Sequence, residues 1–351
     1  MKKFFAIAAL LCASVFAFAQ EQQATPADYG YKQTGFMSTP KVGAYIIGSY
    51  KYSDKEGAND GPGFGCRLIR AYVDGSIFTD FNYRVQLQFA GDAPHVKDFY
   101  IEWAKYKEFS VKMGQFKRAF TFENPMNPWD VGVGDFSLLV KKMAGMGDRL
   151  GEANMGGRDQ GLQIQGDLFP IGEDQHRLFH YQIGVYNGQG INLTDANSQK
   201  DVIGTLQLQP LKGLWVGVFG WKGNWVSGGT TLKTLKRERL SYGVKYDWNN
   251  WTFRSEYAHA VAGEIEESGA ADALYVTVGV PVQPWLKVYA KWDEFRADAT
   301  ASTSHDMYSC AANFRLHKNL NFQLEYRHHV DQKNIPSPNY NEIWLQTYIR
   351  W

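Results

Sequence analysis

The residues of this sequence best suited to chemistry are basic side chains gathered in one long segment, residues 114–158. Guanidinium and ammonium groups bind oxyanions through charge-assisted hydrogen bonds, so such a group of side chains could bind a phosphate or a carboxylate. Acidic residues share the segment in nearly equal number, so only the placement of the basic ones could create an anion site. The basic candidates in the segment are Lys117, Arg118, Lys141, Lys142, Arg149 and Arg158.

Catalytic chemistry has little support in the residue pattern. The histidines are scattered, and none has the spacing of a zinc motif. His328 and His329 are adjacent, so alternation along a strand would send their rings to opposite faces. The sequence shows no nucleophile elbow and no phosphate-cradling glycine loop. We therefore expect no enzyme activity, no metal ion and no cofactor.

Short stretches of alternating polar and apolar residues run through most of the chain. In the clearest one, residues 83–89, every second residue is apolar and those between are Arg or Gln. About sixteen such segments follow one another between residues 41 and 351, joined by connections that are alternately short and long. This pattern is typical of a transmembrane antiparallel β-barrel that is apolar outside and polar inside. We predict an all-β fold with one barrel domain over residues 41–351.

The connections give this prediction more detail, because an outer-membrane barrel has tight turns at its periplasmic rim and longer loops outside. Asn249 and Asn250 predict a two-residue hairpin turn, since Asn tolerates a positive φ. The flanking Trp248 and Trp251 occupy the place of an interfacial aromatic belt. The connection at residues 170–177 fits least well, because it is somewhat long for an inner turn.

Charged residues on the polar faces of the strands should line the lumen of the barrel. A charge on the lipid-facing side would cost about 2–4 kcal/mol at the midplane. Basic and acidic residues both occur on the polar faces, so the wall is expected to carry mixed charge. The wall candidates for lining a pore and binding anions are Arg70, Arg84, Lys112, Arg254, Lys287 and Lys291. Lys245, Arg315 and Arg327 share these faces.

The long segment breaks the rhythm of the strands, because residues 116–157 join the fifth and sixth strand candidates. A connection of this length is usually functional or disordered. Its apolar content favours order, so we predict that it folds inward and narrows the lumen; the alternative is a lid over the outer mouth. The residues able to pack are Phe116, Phe120, Phe122, Trp129, Phe136, Leu138, Leu139 and Met143.

The N-terminus has the pattern of a cleaved export signal. Residues 1–19 contain Lys2 and Lys3, an apolar stretch and a small-x-small site, which predicts cleavage after Ala19. Residues 20–40 form a polar leader without periodicity. Processing leaves 35 basic residues against 36 acidic ones, so bulk charge argues against a nucleic-acid binder. Cys66 and Cys310 remain, and whether they pair is left open.

Several blocks of the chain resemble the phosphate-selective porins of the O and P type. The Gly-Gln-Phe-Lys block at residues 114–117 is the most specific of them, and Trp351 resembles the aromatic end of an outer-membrane protein. The resemblance implies a sixteen-stranded channel, commonly a homotrimer, that passes phosphate or larger anions. An arginine ladder cannot be mapped residue by residue onto this chain. The blocks are residues 70–75, 78–84, 89–91, 97–103, 114–117, 161–166 and 185–190.

The expected function is therefore an outer-membrane porin of a bacterium, with a water-filled channel for passive diffusion of small hydrophilic solutes. The permeating solutes are expected to be anions such as phosphate or polyphosphate, and the partners are outer-membrane lipid and the two other copies of a homotrimer. Three alternatives stay open at this point: a non-selective general porin, a surface-exposed binding or adhesion barrel, and an outer-membrane hydrolase.

Overall fold

The computed structural model describes most of the chain beyond the predicted signal segment. The predicted signal segment (residues 1–19) and part of the leader lie outside the described residues, as does Arg149. The described ranges are residues 33–56, 62–91, 93–146, 156–227, 233–263, 269–333 and 338–351.

Sixteen long strands make up the body of the described structure. They are β1 Lys41–Ser53, β2 Gly63–Ile77, β3 Phe81–Gln88, β4 His95–Trp103, β5 Ser110–Lys117, β6 Arg158–Ile171, β7 His176–Tyr186, β8 Asp201–Leu211, β9 Leu214–Ser227, β10 Lys233–Trp248, β11 Trp251–Gly263, β12 Gly269–Gln283, β13 Leu286–Arg296, β14 His305–His317, β15 Leu320–Asp331 and β16 Asn339–Arg350. Two two-residue strands, Gln33–Thr34 and Met37–Ser38, form a small hairpin ahead of them.

The strands form one closed barrel. Each strand pairs antiparallel with the next in sequence, and β16 pairs antiparallel with β1, with Tyr348 opposite Ile47. Closure leaves none of the sixteen described strands with an unpaired edge, so the backbone amides of the wall are hydrogen-bonded to neighbouring strands. The prediction of an all-β antiparallel barrel of about sixteen strands is confirmed.

The two faces of the wall differ in polarity, as the alternation in the sequence predicts. On β11, the alternate residues Arg254, Glu256, Ala258 and Ala260 point inward and are buried, while Phe253, just before Arg254, is exposed on the outer face. The same holds around the barrel, so a belt of large apolar residues covers its outside. This belt contains Val85, Ile101, Met113, Leu162, Ile183, Leu206, Val218, Leu240, Phe253, Val278, Tyr308, Leu324 and Ile343.

The two rims of the barrel carry different connections. Connections of two to six residues, four of them only two residues long, lie at one end, which we call the turn rim, and connections of five residues or more lie at the other, the loop rim. Both ends of the barrel chain lie at the turn rim, where the Trp351 amide donates to the Ala44 carbonyl over 3.0 Å. The connection that fitted least well is tighter than predicted, because Pro170 still pairs with Arg177 and only residues 172–175 form the turn.

The two cysteines left after predicted processing do not pair. Cys66 and Cys310 are both free and both exposed, on β2 and β14. One short helix, α1 Leu138–Met143, lies in the connection between β5 and β6, with the Ser137 hydroxyl accepting from the Val140 amide at its start. Among the described residues, no helix has the length and apolar character needed to cross a membrane.

The predicted two-residue turn between β10 and β11 is confirmed, and it gives a first testable prediction. Asn249 and Asn250 both have positive φ, 50° and 65°. A residue with a Cβ and no local hydrogen-bonding group is strained there, so Asn250→Ala is expected to lower the free energy of unfolding by about 1 kcal/mol. Asn250→Gly is the matched control and should stay within about 0.5 kcal/mol of the parent, since Gly takes this conformation freely. Urea unfolding of refolded protein measures both, and equal losses would contradict the turn assignment.

Candidate functional site

The connection between β5 and β6, residues 118–157, folds into the barrel; we call it the inner loop. Its described residues reach strands on several sides of the lumen: the Phe122 amide bonds to Glu256 on β11 and the Gly134 amide to Glu325 on β15. The Gly132 carbonyl accepts from Asn313 on β14 over 2.8 Å. The inward fold predicted from the apolar content of the segment is confirmed, and the alternative of a lid over the mouth is wrong.

Carboxylates of the wall hold the inner loop through its backbone amides. Glu256 accepts from the amides of Phe122 and Glu123 over 2.5 and 3.2 Å, and it also accepts from the Tyr275 hydroxyl. Glu325 accepts from the Gly134 amide over 2.7 Å. Loop amides buried without secondary structure need such partners, and bonds to a charged acceptor are the stronger kind. These contacts fix the loop to the wall at two places, at residues 122–123 and at Gly134.

Apolar side chains of the inner loop pack on a part of the wall that is lined by small residues. Phe120 contacts Trp221 with ring centroids 5.5 Å apart, and Phe122 contacts Phe219 at 5.0 Å. Alanine stands at the inward positions of β11 and β12 in the same buried cluster, which leaves room for the loop. The cluster includes Phe120, Phe122, Phe136, Leu138, Leu139, Val140, Met143, Ala258, Ala260, Ala271 and Ala273.

On the other side of the inner loop a polar cavity of about 240 Å³ remains between the loop and the wall; we call it the basic cavity. The loop contributes Ala119 and the stretch of residues 125–128 to it, and strands β1 to β7 contribute the rest. Its charged lining is five basic side chains against one acidic one: Arg70, Arg84, Lys112, Lys117 and Arg158, with Asp98. All five were predicted from the sequence as pore-lining residues, and the structure brings them together.

Three of these basic side chains pair with carboxylates. Arg84 makes two bonds of 2.7 Å to Asp74. Arg158 makes bonds of 2.7 and 2.9 Å to Asp98, and this pair is largely buried. The Lys112 ammonium lies 3.5 Å from Glu102, a looser pair. Both arginine pairs have the two-pronged geometry that fixes a guanidinium in one orientation. These pairs set the shape of the cavity wall and neutralise part of its charge.

Arg70 and Lys117 carry charges without a carboxylate partner among the described residues. Arg70 donates to the Gln88 side-chain oxygen over 2.6 Å and to the Tyr45 hydroxyl over 2.7 Å. Lys117 donates to the carbonyls of Asn124 and Met126 and lies 5.0 Å from the centre of the Phe136 ring. Neutral partners orient these groups, and no carboxylate of the described residues lies within ion-pair distance of either one. The basic cavity therefore has an excess of positive charge at two fixed points.

Solved structures with this architecture are outer-membrane porins. The anion-selective porin from Comamonas acidovorans matches with a TM-score of 0.69 and 11% identity over 89% of this chain and 99% of that one. OmpF of Salmonella typhi matches with a TM-score of 0.63 and 13% identity over 92% and 100%. The outer membrane channel DcaP of Acinetobacter baumannii matches with a TM-score of 0.61 and 10% identity over 92% and 99%. This chain has the porin fold. No protein-family model and no curated protein matches the sequence.

Within this porin fold, other predicted site residues lie on the buried side of the inner loop. Arg118 is fully buried and pairs with Asp159 over 2.8 Å. Lys291 is fully buried and lies 3.1 Å from Glu123 and 3.6 Å from Asp293. Both side chains join the loop region to the barrel, so the structure places them outside the basic cavity.

The remaining predicted residues are spread over other parts of the lumen. Lys141 pairs with Asp135 over 2.6 Å and is partly exposed, and Lys142 next to it is also partly exposed. Arg149 lies outside the described residues. Arg254 and Lys287 line a second cavity, on the turn-rim side of the loop.

Polar uncharged residues of the basic cavity were missed as site residues in the sequence. Gln163, Gln165 and Gln182 line it beside the cations, and the Tyr45 hydroxyl orients Arg70. Gln165 accepts from Gln182 over 3.1 Å, so the amides form a connected hydrophilic surface. The signal was present, since Gln163 and Gln165 alternate with apolar residues on one strand and must share a face.

Two histidines meet at the loop-rim end of β14 and β15. His305 Nε2 lies 3.0 Å from His329 Nδ1, and the His329 ring stacks on Tyr340 with centroids 4.3 Å apart. Within the described part of the chain, no three His, Cys, Asp or Glu side chains stand close enough together to hold a metal ion.

Proposed function

We propose that this protein is an outer-membrane channel for small hydrophilic solutes, with a preference for anions set at the basic cavity. The observation that carries the proposal is the pair of uncompensated charges, Arg70 and Lys117, on the wall of the gap between inner loop and barrel. An ion crossing that gap exchanges part of its hydration for these donors and the neighbouring amides, which favours anions. The resemblance of several sequence blocks to phosphate-selective porins agrees with this assignment.

Phosphate or polyphosphate is the solute class that we infer for the channel. The planar guanidinium fork places two parallel N–H donors against two oxygens of a phosphate, a geometry that a single spherical halide does not match. Arg70, Arg84 and Arg158 line one cavity, so a phosphate there would meet donors on more than one side. We also infer a homotrimer, in line with the solved trimer form of the Vibrio cholerae outer-membrane protein OmpT, which shares the fold at 14% identity.

The outer apolar belt supports a position in the bacterial outer membrane, with the turn rim toward the periplasm. Aromatic side chains cluster at the turn rim, where Trp248, Trp251 and Trp285 are all substantially exposed. Tryptophan favours the interface between lipid and water, and short turns are typical of the periplasmic side. Export through a signal peptide cleaved after Ala19 would deliver the chain to this compartment.

This membrane position yields a second testable prediction, on the middle of β8. Leu206 is exposed on the outer face and Gln207 points inward. Leu206→Arg is expected to lower the free energy of unfolding in a lipid bilayer by about 2–4 kcal/mol, because it places a charge against hydrocarbon. Gln207→Arg, the matched control, adds the same group on the water-filled side and should change stability far less. A smaller loss for Leu206→Arg than for Gln207→Arg would contradict the proposed lipid face.

The channel itself is tested with purified protein in planar bilayers. In a potassium chloride gradient, we expect stepwise conductance and a reversal potential whose sign shows that chloride permeates more readily than potassium. Added phosphate should reduce the chloride current, because it competes for the basic cavity. Conductance with no ion preference would indicate a general porin and overturn the proposed selectivity. The absence of conductance would overturn the channel and favour a barrel that binds a partner at its surface.

A further inference from the structure

A second cavity, of about 440 Å³, lies on the turn-rim side of the inner loop; we call it the turn cavity. Its roof is the loop stretch containing Trp129, Asp130 and Gly132, and its walls come from β10, β11, β13, β14 and β15. The volume is large enough for an amino acid or a short peptide. The charged side chains in its lining are Asp130, Asp247, Arg254, Lys287 and Arg315.

One ion pair in the turn cavity has hydrogen-bond partners within the protein for both of its side chains. Arg254 makes two bonds of 2.9 Å to Asp247 and donates to the backbone carbonyls of Asp130 and Val131 in the loop. Asp247 also accepts from the Thr252 hydroxyl over 2.8 Å. The Asp247 carboxylate bonds to Arg254 and Thr252. It therefore forms no ion pair with the other cations of the cavity.

Two of those cations stand side by side on the wall. Lys287 donates to the Thr252 hydroxyl over 2.9 Å and lies 5.0 Å from the centre of the Tyr289 ring. Arg315 is on the neighbouring strand, two residues from Asn313, which is the register partner of Lys287. Neither side chain forms an ion pair among the described residues, and the Arg315 guanidinium has no side-chain hydrogen bond there. Together they offer donors for one anionic group.

The opposite charge comes from the inner loop. The Asp130 carboxylate is exposed to the cavity and makes no ion pair or side-chain hydrogen bond with the described residues. Asn321, the register partner of Arg315, also lines the cavity, and its buried side-chain oxygen has no hydrogen-bond partner in the described protein. A ligand with both a negative end and a hydrogen-bond-donating positive end satisfies all of these groups.

We propose that the turn cavity is a binding site for zwitterionic solutes of the size of an amino acid or a short peptide. The carboxylate of the solute lies on Lys287 and Arg315, and its ammonium group meets Asp130 and the free Asn321 oxygen. The site is separate from the basic cavity, because the two share no lining residue. It would load the channel from its turn-rim side with solutes that carry no net charge.

The proposal is tested by saturation-transfer NMR titration of purified full-length protein in detergent with three probes of similar size. L-alanine carries both charges, propionate only the negative one, and ethylamine only the positive one. We expect L-alanine to bind at least about tenfold more tightly than either partial analogue, which corresponds to about 1.4 kcal/mol. Propionate binding as tightly as L-alanine would overturn the zwitterion assignment.

Substitutions of the charged residues in the turn cavity test whether the solute binds there. Lys287→Gln with Arg315→Gln should reduce L-alanine affinity to the ethylamine level, and Asp130→Asn should reduce it to the propionate level. Lys318→Gln removes a lysine from the turn joining β14 and β15 and serves as the control, with no change expected. Unchanged L-alanine affinity in the double variant would overturn the site. The titration records no current, so its outcome is separate from that of the bilayer test of ion preference.

Discussion

Removing the inner loop is expected to raise the single-channel conductance about three- to fivefold, because the loop occupies much of the cross-section of a sixteen-stranded barrel. The change is excision of residues 119–156 and connection of Arg118 to Gly157 through Asn-Gly. The Arg118 amide already bonds to the Gly157 carbonyl over 2.9 Å, so a two-residue hairpin turn suits the new junction. Planar bilayer recording measures the conductance.

The excised barrel should also lose its ion preference, because the gap between loop and wall that brings ions close to the basic side chains no longer exists. Exposing the wall beneath the loop brings small side chains such as Ala258, Ala260 and Ala273 into contact with water, a modest cost for the lumen surface. Heat-modifiable migration on a gel checks that the variant is folded. A folded variant with parental conductance would show that the loop does not limit the flow of ions.

Neutralising the two cations that lack an ion-pair partner should weaken the preference for anions strongly, while the conductance stays close to that of the parent protein. A charge about 6 Å from a permeating ion contributes about 0.7 kcal/mol at the dielectric constant of water. Two such charges amount to about 1.4 kcal/mol, so Arg70→Gln with Lys117→Gln is expected to lower the chloride-to-potassium permeability ratio about five- to tenfold. The reversal potential in a potassium chloride gradient measures the ratio.

The control for this experiment removes the same charge outside the lumen. Lys222 is highly exposed, with 83% of its side chain accessible, and Lys212 lies in the turn between β8 and β9. Lys212→Gln with Lys222→Gln should leave the permeability ratio unchanged. If both double variants shift it equally, the preference arises from the overall charge of the protein and not from the basic cavity.

Much of the barrel can be predicted from the sequence because the signal is local. Alternation along a strand fixes which side chains face outward, and the Asn249-Asn250 turn needs only its own residues to adopt positive φ. The connection at residues 170–177 was harder to interpret, because Pro170 suggests the end of a strand although it still pairs with Arg177. Phe169, just before it, has a positive φ of 58° and no register partner, and a strand tolerates proline at such an irregularity, so it continues past Pro170.

The position of the inner loop depends on contacts between distant parts of the chain. Its apolar residues predicted an ordered, inward fold, and nothing within the loop shows which wall it contacts. The complementary signal lies in the wall, where Ala258, Ala260 and Ala262 stand at alternate inward positions of β11. In a barrel with a large lumen, a row of small inward-facing residues on one strand indicates that another segment of the chain fills the space beside them.

The roles of the basic residues could be predicted only in part, for the same reason. In the sequence, the roles of Arg70, Lys117 and Lys291 cannot be told apart. Each is a basic residue on a predicted inward face or at an end of the long segment. The loop then covers Lys291, which pairs with Glu123, and leaves Arg70 and Lys117 at the gap with neutral partners. Ion pairing and contact with the cavity decide between a structural cation and one that meets a solute, and both follow from where the loop lies.

Site-directed modification of single cysteines tests most directly the central claim, that solutes pass through the gap beside the inner loop and not through the part that the loop covers. With Cys66 and Cys310 replaced by Ser, Gln182→Cys places a thiol on the basic cavity and Ala260→Cys places one beneath the loop. An anionic methanethiosulfonate reagent added during bilayer recording is expected to reduce the current of Gln182→Cys and to leave that of Ala260→Cys unchanged. Block of Ala260→Cys with no effect on Gln182→Cys would contradict the account.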